Sequence, residues 1–214
     1  MLTPHTRTIE TLCGRYDPGT DTGYMGYVSS SDFITGSELI DLLDFRDGVD
    51  QNSDAGWLKF YVGPRAVCNQ FDHERILLIA KKSLKYSVSW EQINRAGLVY
   101  GTMREIIKEQ QYTLRCITGG VTKTGSGSEW DELFCRVHVP HSTSNRFSWE
   151  SFDTKTDTMI ADGNGAFSWC QEVVGVDKTR CIYRGTKDTS FWNACPVSFS
   201  TPYYGWRPVL ELVE

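Results

Sequence analysis

The closing stretch of the chain constrains the fold more than any other part of the sequence. It reads Tyr-Gly-Trp-Arg-Pro-Val-Leu-Glu-Leu over 204–212. Gly205 permits a tight approach of the backbone, and Trp206 supplies a large side chain for burial. Three aliphatic residues of the kind that sheet interiors favour then follow, namely Val209, Leu210 and Leu212. Pro208 cannot donate a ladder hydrogen bond, so we expect it at a strand start, an edge or a bulge.

Three helices are predicted from caps and spacing. The first begins near Ser37, with Leu39, Leu42 and Leu43 on one face, and ends at Asp47-Gly48. The second follows Ser89-Trp90-Glu91-Gln92, a capping box, and Gly97 weakens or ends it. A second cap, Ser128-Glu129-Trp130-Asp131, comes after the glycine-rich stretch 119–127 and predicts the third helix.

Short apolar runs predict the strands. The runs are 56–60, 75–80, 167–171, 180–183 and 206–210. Helices early in the chain and strands late favour an α+β fold, with a few helices and a small antiparallel sheet. We expect one domain over 21–214, preceded by an extended arm over 1–20 that Pro4, Gly14, Pro18 and Gly19 interrupt.

The charge and hydropathy of the chain argue against nucleic acid and membrane as partners. The formal net charge is −5 and no long basic run occurs, which argues against nucleic acid. Lys81, Lys82 and Lys85 form the one basic cluster, and we expect them on the solvated face of a strand. No apolar stretch approaches the roughly 18 residues of a membrane helix, and the first residues lack signal-peptide features. The expectation is a protein made in a cytoplasm, with no membrane partner.

Seven cysteines occur without a C-x-x-C pair, which leaves a zinc ribbon or a thioredoxin-type motif unsupported. Free cysteines often serve as small buried apolar residues. In an oxidising environment, an odd number leaves one thiol free or bonded to a neighbouring chain. The candidates for an intermolecular disulfide are Cys13, in the polar arm, and Cys68 and Cys195.

Several blocks of the chain, in this order and spacing, resemble one pattern found in phage and prophage virion proteins. The blocks are AGWLKF (55–60), AKK (80–82), VSW (88–90), AGLVYG (96–101), YTLR (112–115), TGG (118–120), GSEW (127–130), FSWCQE (167–172), YRG (183–185) and YGWRPVLEL (204–212). They span about 20–214 and resemble the C-type-lectin-like fold in its prokaryotic and phage branch. That branch includes formylglycine-generating-enzyme-like domains and retroelement-diversified variable proteins.

The resemblance implies a place on the exterior of a tailed phage and assembly with copies of itself and other virion proteins. It also implies exposed loops between YRG and GWRPVL. Here that segment, 186–203, carries Phe191, Trp192, Phe199 and Tyr203 among Ser, Thr and Asn. Rigid aromatics among small polar residues are typical of a binding surface. The alternative is that these aromatics fill the core of an irregular loop.

Catalytic and metal-binding interpretations find less support. Cys170, Cys181 and Cys195 lie where formylglycine-generating enzymes carry their cysteines, but no other part of that pattern matches, and a fold alone does not carry function. His138 and His141, with Asp153 or Asp157, lack a specified third metal ligand. Trp192-Asn193-Ala194 lacks the acidic residue of a calcium-dependent sugar site. We therefore predict no catalytic residues, no metal and no cofactor.

The function expected from these observations is that of a non-enzymatic structural protein on a tailed phage, at the neck or collar, tail, baseplate or capsid surface. Disulfides formed after release would lock its contacts. The alternative is a receptor-binding adhesin or fibre-tip domain, which uses 186–203 on a host surface glycan or protein.

Overall fold

The computed structural model describes residues 15–51, 56–122, 127–137, 164–176, 178–185 and 191–213. These residues form strands that are listed here in chain order: β1 Arg15–Asp17, β2 Thr22–Val28, β3 Val49–Asp50, β4 Trp57–Val62, β5 Arg75–Ala80, β6 Lys85–Tyr86, β7 Tyr100–Ile107, β8 Gln110–Cys116, β9 Phe167–Val174, β10 Arg180–Gly185, β11 Trp192–Pro196, β12 Tyr204–Trp206 and β13 Pro208–Leu212. The helices are α1 Gly36–Leu42, α2 Trp90–Arg95 and α3 Trp130–Val137, of which α3 has π-helical geometry.

The strands form two sheets. The larger sheet has the order β1-β2-β4-β5-β13-β8-β7, and each neighbouring pair is antiparallel. The smaller sheet has the order β11-β10-β9-β12-β6-β3, in which only the β12–β9 pair is parallel. The broad α+β prediction is confirmed. The expectation of one small antiparallel sheet is corrected, because strands from the whole described chain build two sheets.

The continuous apolar run of β5 was predicted to be a buried strand, and the structure confirms it. Leu78 packs into a first core cluster, which also holds Trp57, Trp169 and Trp206. Leu77 and Ile79 point to the other face and into a second cluster around α3. Because consecutive strand side chains alternate between faces, only a strand covered on both sides needs an unbroken apolar run.

The closing segment differs from the predicted single strand over 206–210. β12 belongs to the smaller sheet, whereas β13 lies at the centre of the larger sheet between β5 and β8. Arg207 stands between the two strands. Pro208 is the first residue of β13, as predicted, so its missing N–H costs no interior ladder bond. Gly205 allows a close approach, since a Cβ there would lie 2.7 Å from the Cβ of Ser83.

Arg207 is buried and donates hydrogen bonds to both sheets. Its Nε donates to Ser168 Oγ of β9 at 2.9 Å, and its Nη1 donates to Ala80 O of β5 at 3.1 Å and to Lys81 O. Burial lowers the pKa of the Arg207 guanidinium below its ordinary value. The acceptor oxygens offset part of that cost, because hydrogen bonds to a charged donor are stronger than neutral ones.

The predicted caps are present at α2 and α3, and α1 has a cap that was not predicted. Thr35 and Glu38 form a capping box at α1, although this helix ends at Leu42 rather than at Asp47-Gly48. The early end coincides with a positive φ of 48° at Asp44. Ser89 and Gln92 form the predicted box at α2, and Gly97 follows its end with a φ of 76°. Ser128 Oγ accepts from Asp131 N at the start of α3.

The expected solvated lysine cluster is wrong for two of its members. Lys81 is 3% exposed and Lys85 is 2% exposed. The Lys85 ammonium pairs with the carboxylate of Asp50 and lies 5.3 Å from the centre of the Phe45 ring. The Lys81 ammonium lies 5.5 Å from the Tyr27 ring. Ion pairing and cation–π contact make these burials tolerable, since a buried charge requires compensation.

The predicted arm is described only from residue 15 onward. Its described part contains β1, an edge strand of the larger sheet, in which Arg15 to Asp17 pair with Tyr24 to Thr22. Residues 1–14, including Cys13, lie outside the described part of the chain.

The bridging role of Arg207 predicts a large stability effect. Arg207→Met keeps most of the side-chain volume but leaves buried carbonyl and hydroxyl acceptors without their donor, so the free energy of unfolding should fall by about 3–5 kcal/mol. Urea unfolding followed by tryptophan fluorescence measures this change. Arg46→Met, at an exposed arginine, is the matched control and should leave the unfolding midpoint nearly unchanged. Equal effects of the two substitutions would contradict the bridging role.

Candidate functional site: an aromatic end of the smaller sheet

Six aromatic residues gather where β9, β10 and β12 meet the turns beside β11. We call this group the aromatic end: the rings of Phe167, Tyr183, Phe191, Phe199 and Tyr204 contact one another, and Tyr203 adjoins them through its carbonyl oxygen, which accepts from Phe167 N at 2.8 Å. The centre of the Tyr204 ring lies 4.9 Å from that of Tyr183, 5.1 Å from that of Phe167 and 5.3 Å from that of Phe199. Phe191 contacts Phe167 at 5.7 Å. Tilted and edge contacts at these distances are favourable arrangements for aromatic rings.

Strand register explains why the rings meet. In the parallel β12–β9 pair, Tyr204 lies opposite Phe167, and Tyr183 of β10 lies opposite Trp169 of β9. Neighbouring side chains on one face of a sheet are close enough for aromatic contact. The Trp169 ring then stacks on Tyr204 at 4.7 Å with an interplanar angle of 24°. The aromatic end is therefore rooted in the first core cluster.

Exposure rises across the aromatic end. Tyr183 and Tyr204 are buried, whereas Phe191 is 36% exposed, Phe199 is 42% exposed and Tyr203 is 57% exposed. Two turns hold the exposed members, because Phe199 N donates to Pro196 O at 2.9 Å and Tyr204 N donates to Thr201 O at 3.0 Å. The rings of Phe191 and Phe199 thus stand on a fixed, buried aromatic base, and the exposed Tyr203 lies beside them.

The structure brings the rings of two of the four predicted partner-binding residues, Phe191 and Phe199, into one aromatic cluster, with the exposed Tyr203 beside it. Phe191, Phe199 and Tyr203 belong to the aromatic end, whereas Trp192 does not. Trp192 is half-buried against the second core cluster, and its Nε1 donates to Gly120 O at 3.0 Å. Residues 186–190 of the predicted loop lie outside the described residues. Within 191–203, the chain forms β11 and two turns rather than one irregular loop.

Trp192 belongs to a polar junction around Gly119 and Gly120. The Glu172 carboxylate of β9 accepts from Gly119 N and Gly120 N, both at 2.9 Å. Arg184 of β10 donates to Gly119 O at 2.8 Å. A Cβ on Gly119 would lie 2.5 Å from Cys170 Sγ, so only glycine fits there. The TGG, CQE and YRG blocks of the sequence therefore meet at one point.

A cluster of four buried or nearly buried charges was missed by sequence reasoning. Arg115 holds Glu129 through two hydrogen bonds of 2.7 and 2.6 Å, and its Nε donates to Glu211 at 2.8 Å. Arg75 lies 3.4 Å from Glu129 and 3.3 Å from Glu211. Burial alone would raise the pKa of Glu129, yet Arg115 and Arg75 outweigh it and lower this pKa. The Glu129 carboxylate is thereby held as an anion.

The six described cysteines are buried, and no disulfide joins any two of them. Burial raises the pKa of Cys68 to about 12 and that of Cys195 to about 11. A protonated thiol is a poor nucleophile, so a disulfide to another chain through either residue requires local opening. The proposed intermolecular disulfides through Cys68 and Cys195 stay predictions, and Cys13 lies outside the described residues.

The structure describes only some of the metal-binding and catalytic candidates. Within the described ranges, no group of three or more His, Cys, Asp or Glu residues could hold a metal ion. His138, His141, Asp153 and Asp157 lie outside these ranges. Cys181 and Cys195 are directly opposite one another on β10 and β11, whereas Cys170 packs into the second core cluster.

No family model, no curated protein and no solved structure matches this chain. In the part of the chain that the structure describes, no helix is both long and apolar enough to cross a membrane.

Trp192 and Tyr203 should respond differently to substitution. Trp192→Phe removes the donor to Gly120 O and part of the packed ring, and should lower the free energy of unfolding by about 1–2 kcal/mol. Tyr203→Ala, at an exposed ring, should change it by no more than about 0.5 kcal/mol. Chemical denaturation of both variants measures the difference. A larger loss from Tyr203→Ala than from Trp192→Phe would contradict these positions.

The buried thiols predict a loss of stability in alkali. Burial raises the pKa of five thiols, those of Cys68, Cys116, Cys170, Cys181 and Cys195. In the unfolded chain they ionise near pH 8.5–9, so unfolding releases protons above that pH. Their contribution is fully present below about pH 8.5. It declines above that pH by up to about 1.4 kcal/mol per pH unit per thiol, until each thiol reaches its folded-state pKa, which is about 11 for Cys195, about 12 for Cys68 and higher for the other three. The lowered pKa of Arg207 acts in the opposite direction, because unfolding takes up a proton at this group in alkali. This uptake offsets the proton released by about one thiol.

Urea midpoints measured with a reducing agent at pH 7, 9 and 10.5 check this prediction. Cys195→Ala removes one titrating group, so unfolding should release about one proton fewer in alkali. The urea midpoint of this variant should therefore fall less steeply with pH. A midpoint that stays constant or rises from pH 9 to 10.5 would be incompatible with protonated thiols in the folded state.

Proposed function

We propose that this chain is a non-enzymatic structural protein on the exterior of a tailed bacteriophage, and that the aromatic end is its contact surface. Its position would be the neck or collar, tail, baseplate or capsid surface, among copies of itself and other virion proteins. The domain would belong to the C-type-lectin-like fold. The observation that carries the proposal is the pair of exposed rings, Phe191 and Phe199, on a buried aromatic base, with the exposed Tyr203 beside them.

The physical case for a contact surface rests on rigidity and area. Aromatic residues are enriched at protein interfaces, and the residues that dominate binding lie in well-packed surroundings. Phe191 is held by Phe167 and Tyr183, with ring centres 5.7 and 6.0 Å away. A ring that is already fixed loses little side-chain entropy on binding, so more of its burial appears as affinity.

The resemblance to phage virion proteins gains physical support from where its blocks lie. Glu172, Arg184 and Gly119 come from three separate blocks and bind one another. Arg207, from the closing block, donates to Ser168 of the FSWCQE block. These blocks act as a framework, which is the part that proteins sharing a fold would need in common.

The second candidate is a receptor-binding adhesin or fibre-tip domain. Tyr203 favours it, because this exposed ring follows a stretch rich in small polar residues, Ser198, Ser200 and Thr201, as in many binding loops. The partner would be a glycan or a protein on the host surface.

Changes at the aromatic end distinguish the two candidates. Phe199→Ala combined with Tyr203→Ala should leave the purified chain folded but lower its incorporation into particles at least tenfold, as measured by immunoblotting of gradient-purified virions. Ile106→Ala is the matched control at an exposed apolar residue of the larger sheet, and it should be incorporated normally.

Normal incorporation and particle yield with lost host adsorption would instead favour the adhesin. Normal incorporation together with normal adsorption would contradict the aromatic end as a contact surface. Absence of the unmodified chain from purified virions would overturn the virion assignment itself.

A further inference from the structure

A cavity of about 670 Å³ lies on the larger sheet, apart from the aromatic end. It lies on the face of the sheet from which Leu77, Ile79 and Val209 pack into the second core cluster. Because side chains alternate between the two faces of a strand, the same face also carries four polar residues. They are Arg75 of β5, Glu211 of β13, and Thr113 and Arg115 of β8. The same face of the sheet is thus apolar beneath α3 and polar beneath the cavity.

Two exposed aromatic residues line the cavity. Phe71 comes from the connection between β4 and β5, and Tyr100 is the first residue of β7. The Arg75 guanidinium lies 5.3 Å from the centre of the Phe71 ring, and the Trp90 ring contacts Tyr100 at 6.0 Å. Both rings are about half exposed, so each offers an accessible apolar surface to a bound molecule.

The floor of the cavity is polar but balanced in charge. Arg115 neutralises Glu129, and Arg75 lies beside Glu211. At the rim, Arg104 and Glu74 add one charge of each sign. An anion or a cation would therefore enter a site with no net charge to attract it. The carboxylates of Glu129 and Glu211 already accept from arginines, so they are poor candidates for binding a metal ion.

The floor also keeps hydrogen-bonding capacity. The contacts of Arg75 are long, at 3.3–3.4 Å, and its buried Nε has no hydrogen-bond partner. Arg104, Thr113 and Gln171 add further donors and acceptors to the lining. A ligand with several groups that both donate and accept would suit such a surface.

We propose that this cavity binds a neutral saccharide. The hydroxyl groups of a sugar both donate and accept hydrogen bonds, which matches a floor of mixed and mutually neutralised charges. The C–H face of a pyranose ring is apolar and can lie against Phe71 or Tyr100. The volume falls within the range of small-molecule sites, about 300–1,000 Å³. This site is distinct in position from the aromatic end and does not depend on the proposed function.

Ligand-observed saturation-transfer NMR on the purified full chain tests the proposal. The probes are glucose, galactose, mannose, N-acetylglucosamine and their common disaccharides, with glucuronic acid and N-acetylneuraminic acid as charged comparisons. At least one neutral sugar should bind, and added EDTA should not weaken binding. Phe71→Ala and Tyr100→Ala should each weaken it at least tenfold, whereas Tyr203→Ala, an equally exposed ring at the aromatic end, should not.

Three results would overturn the proposal: no binding of any neutral probe, binding only of the acidic sugars, or binding that survives both cavity substitutions in chains with unchanged unfolding midpoints. If Tyr203→Ala weakened sugar binding and the two cavity substitutions did not, the sugar would bind at the aromatic end, and this result would also contradict the proposal.

Discussion

The fold depends on one buried residue, Arg207, which joins two sheets at the point where the closing segment passes from one to the other. A regular strand would have kept Trp206 and Val209 in the same sheet. Instead, β12 and β13 belong to different sheets, and the guanidinium between them donates to Ser168 of one sheet and to Ala80 of the other. Without these donors, the carbonyl groups at the crossing would be buried and unsatisfied, which is costly.

A second polar junction fixes the same two sheets farther along. Glu172 and Arg184 bind the backbone of Gly119, just after β8 leaves the larger sheet. A parallel bridge between Ile117 and Cys170 continues the contact. Because each of these groups is satisfied only in one arrangement, they favour a single packing of the sheets over near alternatives. The exposed rings of Phe191, Phe199 and Tyr203 take no part in either junction.

Local features were predicted well from the sequence. The capping box at Ser89 involves residues only three apart, and the unbroken apolar run of β5 indicates burial on both faces directly. Trp206 was expected to be a buried anchor, and it is fully buried.

Features that depend on distant partners could not be predicted in the same way. Arg115 and Glu211 are 96 residues apart, and Lys85 meets Asp50 across 35 residues. A sequence gives the charge of each residue but not the distant group that pairs with it. The buried lysines were therefore predicted to lie on a solvated face. Trp192 was grouped with Phe191 because the two are neighbours in the sequence, but Trp192 begins β11 and packs against the second core cluster.

Imaging of intact virions by single-particle cryo-electron microscopy, at a resolution that shows side chains, tests the central claim most directly. The account predicts this chain on the particle exterior, with Phe191, Phe199 and Tyr203 buried against a neighbouring subunit. A chain that is absent from the particle, or one that contacts its neighbours only through other surfaces and leaves all three rings in solvent, would contradict the account.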